Sequence, residues 1–200
     1  FLNGWIESKK RLHDVKVFGF GILSGMNLHW KRYDWDTPKG IAMRAVSHLR
    51  IIGITLVDFG NHHIILSGLV SENNWPNTIQ NIKILGWRTN GDGVHLWGHW
   101  NEVNDLFLRT QDDSLYIGDE ASFVTYRRII TWNDANGAPF IFGRVHQGLT
   151  ELTDSDVLWY RKAWPWFCGA VFDLRYFTGF VHSQFKLMIH DIRVHDPMPS

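Results

Sequence analysis

Three aspartates have the residue type and spacing that acid–base chemistry requires. Asp112 and Asp113 are adjacent in the segment TQDDSLYI, and Asp92 lies in TNGDGVHLW, 21 residues before Asp113. General acid–base catalysis of a hydrolysis needs one carboxyl group that donates a proton and another that activates water. Neighbouring carboxylates raise one another's pKa, so one of them can stay protonated near neutral pH and act as the acid. Taken singly, each residue also fits an ordinary turn aspartate that bonds to the local backbone.

Short β-strands in a repeating pattern would position these aspartates. Helix signals are almost absent, and strand-like apolar runs are separated by turns that contain Gly, Asn or Asp. The runs recur about every 21 to 30 residues and occupy residues 15–25, 49–68, 79–98, 102–118, 126–143, 154–175 and 185–196. This period is typical of a solenoid, whereas the rival fold, an antiparallel sandwich, predicts strands about 8–12 residues apart. The pattern predicts an all-β fold of the parallel β-helix (solenoid) type.

The spacing of the aspartates predicts their arrangement in such a fold. Equivalent residues on successive coils of a β-solenoid stack about 4.8 Å apart. Asp92 and Asp113 each precede a similar strand, so we expect them to be vertical neighbours on one face. Asp112 should point in a different direction, because side chains alternate along an extended chain.

Composition excludes several classes of partner. The chain has 20 basic and 20 acidic residues, and this zero net charge gives no electrostatic footprint for nucleic acid or an anionic membrane. No apolar run reaches the length of about 18 residues that indicates a membrane span. The single Cys168 excludes an internal disulfide. The 11 Trp residues offer flat apolar faces on which sugar rings can stack, with a large aromatic core as the alternative.

The chain fits one domain over residues 1–200, because 200 residues are enough for one sizeable core. The sequence begins FLNGW, without an initiator Met or a signal peptide, and it contains no evident helix that would cap a solenoid. We therefore expect a processed or partial chain, with other domains of the same parent chain as possible partners.

Three segments together resemble inverting glycoside hydrolases with a right-handed parallel β-helix, namely the polygalacturonases (family 28) and the dextranase/isopullulanase group (family 49). The segments are TNGDGVHLW, TQDDSLYI and IITWNDANGAPFIFG, and the resemblance covers residues 77–175. Family 49 is the closer match. Its pattern is an acidic T-D-G turn, a D-D turn about one coil later, and a Trp-bearing strand that leads into an A-P strand ending in F-G.

The matching positions are Asp92-Gly93, Asp112-Asp113, Ile130-Thr131-Trp132 and residues 138–143. The first turn departs from the pattern, because it reads N-G-D-G. The Gly-His-Gly and Arg-Ile-Lys elements with which polygalacturonases grip a uronate are missing.

The resemblance implies a right-handed parallel β-helix whose catalytic coils lie at about residues 77–145. It implies hydrolysis of an α-linked polysaccharide of the dextran or pullulan type, with inversion. Asp112 would be the general acid, and Asp92 and Asp113 would position and deprotonate the water. It also implies a secreted, cell-surface or periplasmic location and no cofactor.

Seven further residues are candidates for substrate binding: His95, Trp97, Arg109, Gln111, Trp132, Asn133 and Asp134. His95 and Trp97 follow the first acidic turn, and the others flank the acidic pair or occupy the next coil. No metal site is predicted, because His62 and His63 lack a third ligand at a recognisable spacing. The alternatives are a polygalacturonase-like hydrolase of an acidic glycan and a non-catalytic glycan-binding β-solenoid.

Overall fold

The fold is built from parallel β-strands alone. A computed structural model of the chain describes residues 1–31, 34, 36–69, 75–118, 121–133, 136–143, 147–160, 170–174 and 185–195. In these ranges the chain forms 20 strands and no helix, and the parallel strands curl into a half-barrel. The described part of the chain therefore has no helix with the length and apolar character of a membrane crossing. The predicted all-β class with parallel strands is confirmed.

The strands, in chain order, are β1 (Leu2–Asn3), β2 (Ile6–Ser8), β3 (Leu12–His13), β4 (Lys16–Phe18), β5 (Ile22–Ser24), β6 (Ile41–Arg44), β7 (Val46–Ser47), β8 (Arg50–Ile52), β9 (Thr55–Val57), β10 (His62–Leu69), β11 (Asn77–Leu85), β12 (Asp92–Thr110), β13 (Leu115–Ile117), β14 (Ser122–Asn133), β15 (Phe140–Phe142), β16 (Gln147–Thr153), β17 (Ser155–Tyr160), β18 (Phe172–Asp173), β19 (Phe185–Ile189) and β20 (Ile192–Val194).

Three ladders of strands run side by side, and the chain passes through them in the same order in each repeat. Ladder 1 contains β2, β6, β10, the start of β12, β13, β15 and β18. Ladder 2 contains β4, β8, parts of β11, β12 and β14, and then β16 and β19. Ladder 3 contains β1, β5, β9, later parts of β11, β12 and β14, and then β17 and β20. Strands in each ladder thus pair with strands one repeat away.

Aliphatic stacks explain why the ladders pack together. One row of ladder 1 places Ile41, Ile64, Val94, Leu115 and Phe140 in register, each at most 1% exposed. Residues of all three ladders belong to one buried apolar cluster, so the core lies between the ladders. Alternate side chains of each strand point outward instead, as the pleat requires. The outward face of ladder 1 is therefore free to carry polar and aromatic groups.

The corner between ladders 2 and 3 turns at one residue per repeat. Asn81, Asp105, Arg128, Asp154 and Asp191 occupy this corner with φ between 49° and 60°. Asn and Asp tolerate this left-handed region better than most other non-glycine residues. β12 continues through all three ladders as one strand and turns at Trp100 and Asp105. The predicted break between the runs 79–98 and 102–118 is therefore wrong.

A short stack of buried amides supports the passage into ladder 2. The Asn77 side-chain oxygen accepts from the Leu49 N–H (2.9 Å), and its Nδ2 donates to Asn101 Oδ1 (3.0 Å). Asn101 Nδ2 in turn donates to the Gly98 carbonyl (3.0 Å). Asn77 and Asn101 are 1% and 2% exposed, so these bonds have no ready replacement by water.

Replacing Asn77 by alanine is expected to lower the free energy of unfolding by about 2 kcal/mol, because a buried N–H and a buried amide oxygen lose their partner. Urea denaturation of the purified chain measures this difference. Lys83→Ala on the same strand is the matched control, since Lys83 is exposed. Equal stability of the two variants would contradict a structural role for the amide stack.

Candidate functional site

Asp112 and Asp113 lie in the turn that leads from ladder 3 into β13, and the next repeat holds both carboxylates. Asp112 Oδ1 accepts from the Asp113 N–H (3.0 Å), and its Oδ2 accepts from Asn136 Nδ2 (2.8 Å). Asp113 Oδ1 accepts from the Ala138 N–H (3.0 Å). Only the bond from the Asp113 N–H is local to the turn, and the other two come from residues 24 and 25 positions later in the chain. They also fix the positions of two neighbouring carboxylates.

Two side-chain hydrogen bonds hold the main chain at Asp112. Thr110 Oγ1 donates to the Asp112 carbonyl (2.8 Å), and Asn133 Nδ2 donates to the same oxygen (2.7 Å). Asn133 was predicted to bind substrate, but it is 1% exposed and its amide points at the main chain. The structure therefore gives Asn133 the geometry of a positioning residue for the Asp112 turn.

Gly137 lets the next repeat approach the carboxylate pair. Its φ of 72° is left-handed, and a Cβ there would lie 2.6 Å from Asp112 Oδ1 and closer still to Asp113 Oδ1. Both carboxylates are therefore packed around one glycine, and no larger residue fits without displacing them.

Replacing Gly137 by alanine is expected to reduce any activity that depends on the pair by at least about tenfold, because misplacement of reacting groups by about 1 Å is costly. Gly21→Ala is the control, since a Cβ at Gly21 meets no atom within 4 Å. Initial rates of both variants are compared after circular dichroism has verified that each is folded. Wild-type rates in Gly137→Ala would mean that the position of the pair does not matter.

Asp92 begins β12 one repeat before the pair. The Gly93 N–H donates to the Asp113 carbonyl (2.8 Å), so the two aspartates lie on adjacent repeats, as the spacing predicted. The Asp92 carbonyl accepts from Nδ1 of His63 (2.7 Å), whose Nε2 accepts from the Phe59 N–H (3.3 Å). These partners assign the proton of His63 to Nδ1. His63 is fully buried and anchors the main chain at Asp92.

The Asp92 carboxylate faces two imidazoles. Its Oδ2 lies 2.8 Å from His95 Nε2 and 3.7 Å from His62 Nε2. His62 pairs with Asp92 in the ladder register, 30 residues earlier in the chain. All three residues are buried.

Burial dominates the electrostatics of this group. It raises the pKa of Asp92 well above its ordinary value, and the charges of Asp112 and then Asp113 raise it further. Burial likewise lowers the pKa of His62 to about 3, with smaller contributions from Lys39 and His63, and holds the pKa of His95 well below 6.5. Both imidazoles are thus neutral near pH 7, and burial favours the protonated form of the Asp92 carboxyl group.

An aromatic face lies beside Asp92 on the outer side of ladder 1. The His95 and Tyr116 rings stack at 4.7 Å, and Trp97 lies 5.6 Å from Tyr116 and 5.5 Å from His95. Trp97 packs directly over Gly118, where any Cβ would overlap the indole. Sequence reasoning identified His95 and Trp97 but missed Tyr116. Its outward position between buried Leu115 and Ile117 was the available signal.

A cavity of about 370 Å³ shares Trp97 with this aromatic face. Trp97 forms one wall, and Glu7, Lys39 and Arg44 add charged groups. The pKa of Lys39 is lowered by burial, an effect that the carboxylates of Asp36 and Glu7 oppose. The outer side of ladder 1 therefore offers a groove with an aromatic centre and a charged end.

Two other predicted residues meet on ladder 3. The Arg109 guanidinium lies 5.7 Å from the centre of the Trp132 ring and 5.4 Å from that of Trp87. Trp87 and Trp132 are 49% and 37% exposed, so their faces are open to solvent. Gln111 is half-buried, and its carbonyl accepts from the Asn136 N–H (3.0 Å). The predicted Asp134 lies outside the described residues.

Two groups in the described part of the chain have the composition of a metal site. His62, Asp92 and His95 bring three ligand atoms within 4.8 Å of one another, and so do the more exposed His13, Asp14 and His48. The third ligand that His62 lacked in the sequence analysis comes from the strand that pairs with β10.

A search against protein-family models finds no match for this chain, and a comparison with curated proteins finds no significant one. The resemblance to inverting glycoside hydrolases therefore rests on the sequence motifs alone.

Proposed function

We propose that this chain is an inverting glycoside hydrolase that cleaves an α-linked polysaccharide. The observation that carries the proposal is the position of Asp92 on the repeat adjacent to Asp112 and Asp113, beside an aromatic face of His95, Trp97 and Tyr116. Carboxyl groups held close together can divide into an acid and a base, which is the arrangement that acid–base hydrolysis requires. The recurring order of the ladders in the chain supports the further proposal of a parallel β-helix spanning residues 1–200, and the proposed right-handed coil follows the usual hand of connections between parallel strands.

In the proposed mechanism Asp112 protonates the leaving oxygen, and Asp92 with Asp113 orients and deprotonates water on the opposite side of the sugar ring. The Asn136 amide orients Asp112 through its hydrogen bond to Oδ2, and the Ala138 N–H holds the Asp113 carboxylate in position. Inversion needs room for a water between the two active carboxyl groups, a gap of about 6.5–9.5 Å. Asp112 and Asp113 are packed together around Gly137, so the gap in this proposal lies between Asp112 and Asp92. Like-charge repulsion between neighbouring carboxylates favours keeping one of them protonated, and the proposal places that proton on Asp112.

A neutral glucan of the dextran or pullulan type is the proposed substrate. Trp97 and Tyr116 present aromatic faces on which a sugar ring can stack, and His95 lies between Tyr116 and Asp92. A chain that acts on such polymers outside the cell would be secreted, periplasmic or held at the cell surface. Other domains of a parent protein would then supply further contacts with the polysaccharide.

An acidic glycan is the second candidate substrate, and the charged cavity is the observation that favours it. Lys39 and Arg44 both line that cavity beside Trp97. Two cations at this end of the groove would bind a carboxylate or sulfate on the sugar. Glu7 in the same lining opposes this reading, because it repels an anionic substrate.

The test supplies dextran, pullulan and polygalacturonate separately to the purified chain and measures the release of reducing ends. Hydrolysis of either glucan supports the proposal, and hydrolysis of polygalacturonate alone supports the acidic alternative. Electrophoresis through gels containing the same polymers tests the non-catalytic alternative. Retarded migration without any release of reducing ends would indicate a glycan-binding solenoid and contradict the proposal of an enzyme.

A further inference from the structure

We propose that His62, Asp92 and His95 form a binding site for a divalent transition-metal cation of the Zn²⁺ class. The site lies at the inner edge of the proposed catalytic group and uses one carboxylate of that group. Its occupancy would withdraw Asp92 from water activation, so the cation would inhibit the enzyme. That consequence rests on the proposed function, whereas the binding itself does not.

The distances fit ligands around one ion. Bonds of about 2.0 Å in tetrahedral geometry place neighbouring ligand atoms about 3.3 Å apart. Asp92 Oδ2 lies 2.8 Å from His95 Nε2 and 3.7 Å from His62 Nε2, which brackets this spacing. The two imidazole rings are perpendicular at a centroid distance of 4.2 Å, so they do not stack face to face and block the space between them.

The ring nitrogen of His95 also indicates a missing ligand. His95 is 7% exposed, and its Nε2 makes no hydrogen bond although Asp92 Oδ2 is only 2.8 Å away. A buried ring nitrogen without a hydrogen bond is costly in a folded protein. A cation bound by both atoms would satisfy the Nε2 lone pair, which the contact with Asp92 leaves without a hydrogen bond.

The chemistry of the donors selects the cation. Two imidazole nitrogens and one carboxylate oxygen suit Zn²⁺, with a fourth position left for water. His62 and His95 supply the nitrogens and Asp92 supplies the oxygen, all within 4.8 Å of one another.

The fold pre-organises the ligands on paired strands. His62 and Asp92 are register partners in ladder 1, and His95 follows three residues later on β12. His63 holds the main chain at Asp92 through the 2.7 Å bond from its Nδ1. Such outer contacts orient first-sphere ligands in metal sites.

The test titrates the metal-free chain with Zn²⁺ by calorimetry and with Co²⁺ by visible absorption. We expect one buried site, with affinity lowered at least about 100-fold in His95→Gln. Asp92→Asn is the second variant, because it keeps the volume of the side chain if His95→Gln fails to fold. The Co²⁺ spectrum of the wild type reports a low-coordinate N/O site without any variant.

The exposed group provides the matched control. His48→Gln disrupts the cluster of His13, Asp14 and His48, in which His48 Nδ1 is already hydrogen-bonded to Asp14 Oδ1 (3.2 Å). Affinity that survives in His48→Gln and falls in His95→Gln assigns the site as proposed. The reverse pattern, or no stoichiometric binding by the wild type, would overturn it.

Inhibition is measured separately on whichever polysaccharide the chain cleaves. Zn²⁺ should abolish hydrolysis over the concentrations that fill the site, and a chelator should restore it. Binding without inhibition would refute the regulatory consequence while leaving the site intact. Zn²⁺ binding by a chain that cleaves none of the polymers would contradict the proposed function and leave the proposed metal site intact.

Discussion

Replacing Asp112 by asparagine is expected to lower kcat for the polysaccharide by about 10²- to 10⁴-fold, the usual contribution of a general acid. An amide cannot deliver a proton to the leaving oxygen. The substitution is nearly isosteric, and its remaining side-chain oxygen can still accept one of the bonds from Asn136 and the Asp113 N–H. The fold should therefore persist, and the loss should lie in the chemical step.

A substrate with an activated leaving group separates acid catalysis from a structural effect. Aryl glycosides need little protonation, so Asp112→Asn should cleave them with a much smaller loss than the natural polymer. Asp105→Asn is the control on the preceding strand β12, because Asp105 is partly exposed and pairs with Arg128 at 2.6 Å. Such surface pairs contribute at most about 1 kcal/mol. An equal loss on both kinds of substrate would argue against Asp112 as the acid.

Replacing His63 by leucine is expected to lower the free energy of unfolding by about 3 kcal/mol. The change removes the partners of two backbone groups, the Asp92 carbonyl and the Phe59 N–H. Each buried group left without a hydrogen bond costs about 1–3 kcal/mol. Leucine fills most of the volume, so the loss of hydrogen bonds rather than a cavity causes the effect.

Chemical denaturation of His63→Leu and His29→Leu measures this cost directly. His29 is exposed, so the same substitution there should change stability by no more than about 0.5 kcal/mol. Comparable stabilities for the two variants would show that His63 only occupies space in the core and that its hydrogen bonds add little stability. The Asp92 backbone would then have another support.

The sequence predicted the parallel, repetitive β-structure because its two signals are local. Alternating apolar residues mark strands, and the distance from Asp92 to Asp113 gives the length of one repeat. The prediction that these aspartates lie on adjacent repeats is confirmed by the bond from the Gly93 N–H to the Asp113 carbonyl. The outward, neighbouring positions of His95 and Trp97 follow from the same alternation.

Two other features were beyond sequence reasoning. β12 turns at Trp100 and Asp105, with φ of 56° and 60°. Because neither residue is Gly or Pro, the sequence does not indicate a turn at these positions. His62 lies 30 residues before its register partner Asp92, whereas the next repeat is 21 residues long. Because repeat length varies, counting residues does not show that two histidines converge on Asp92.

The roles of the remaining candidates depend on side-chain direction, which the sequence pattern does not give. Asn133 follows the Trp-bearing strand and looked available to substrate, yet its amide points inward at the Asp112 carbonyl. Arg109 lies only three residues before Asp112, but its guanidinium lies near the rings of Trp87 and Trp132. Position along a strand predicted the neighbourhood of these residues and not their contacts.

The most direct test of the central claim is the anomeric configuration of the first product, followed by proton NMR as the wild type cleaves an α-glucan. Inverting hydrolysis by Asp92, Asp112 and Asp113 predicts that the β-anomer forms first and then mutarotates to the equilibrium mixture. Initial formation of the α-anomer would indicate a retaining mechanism with a covalent intermediate and would contradict the account.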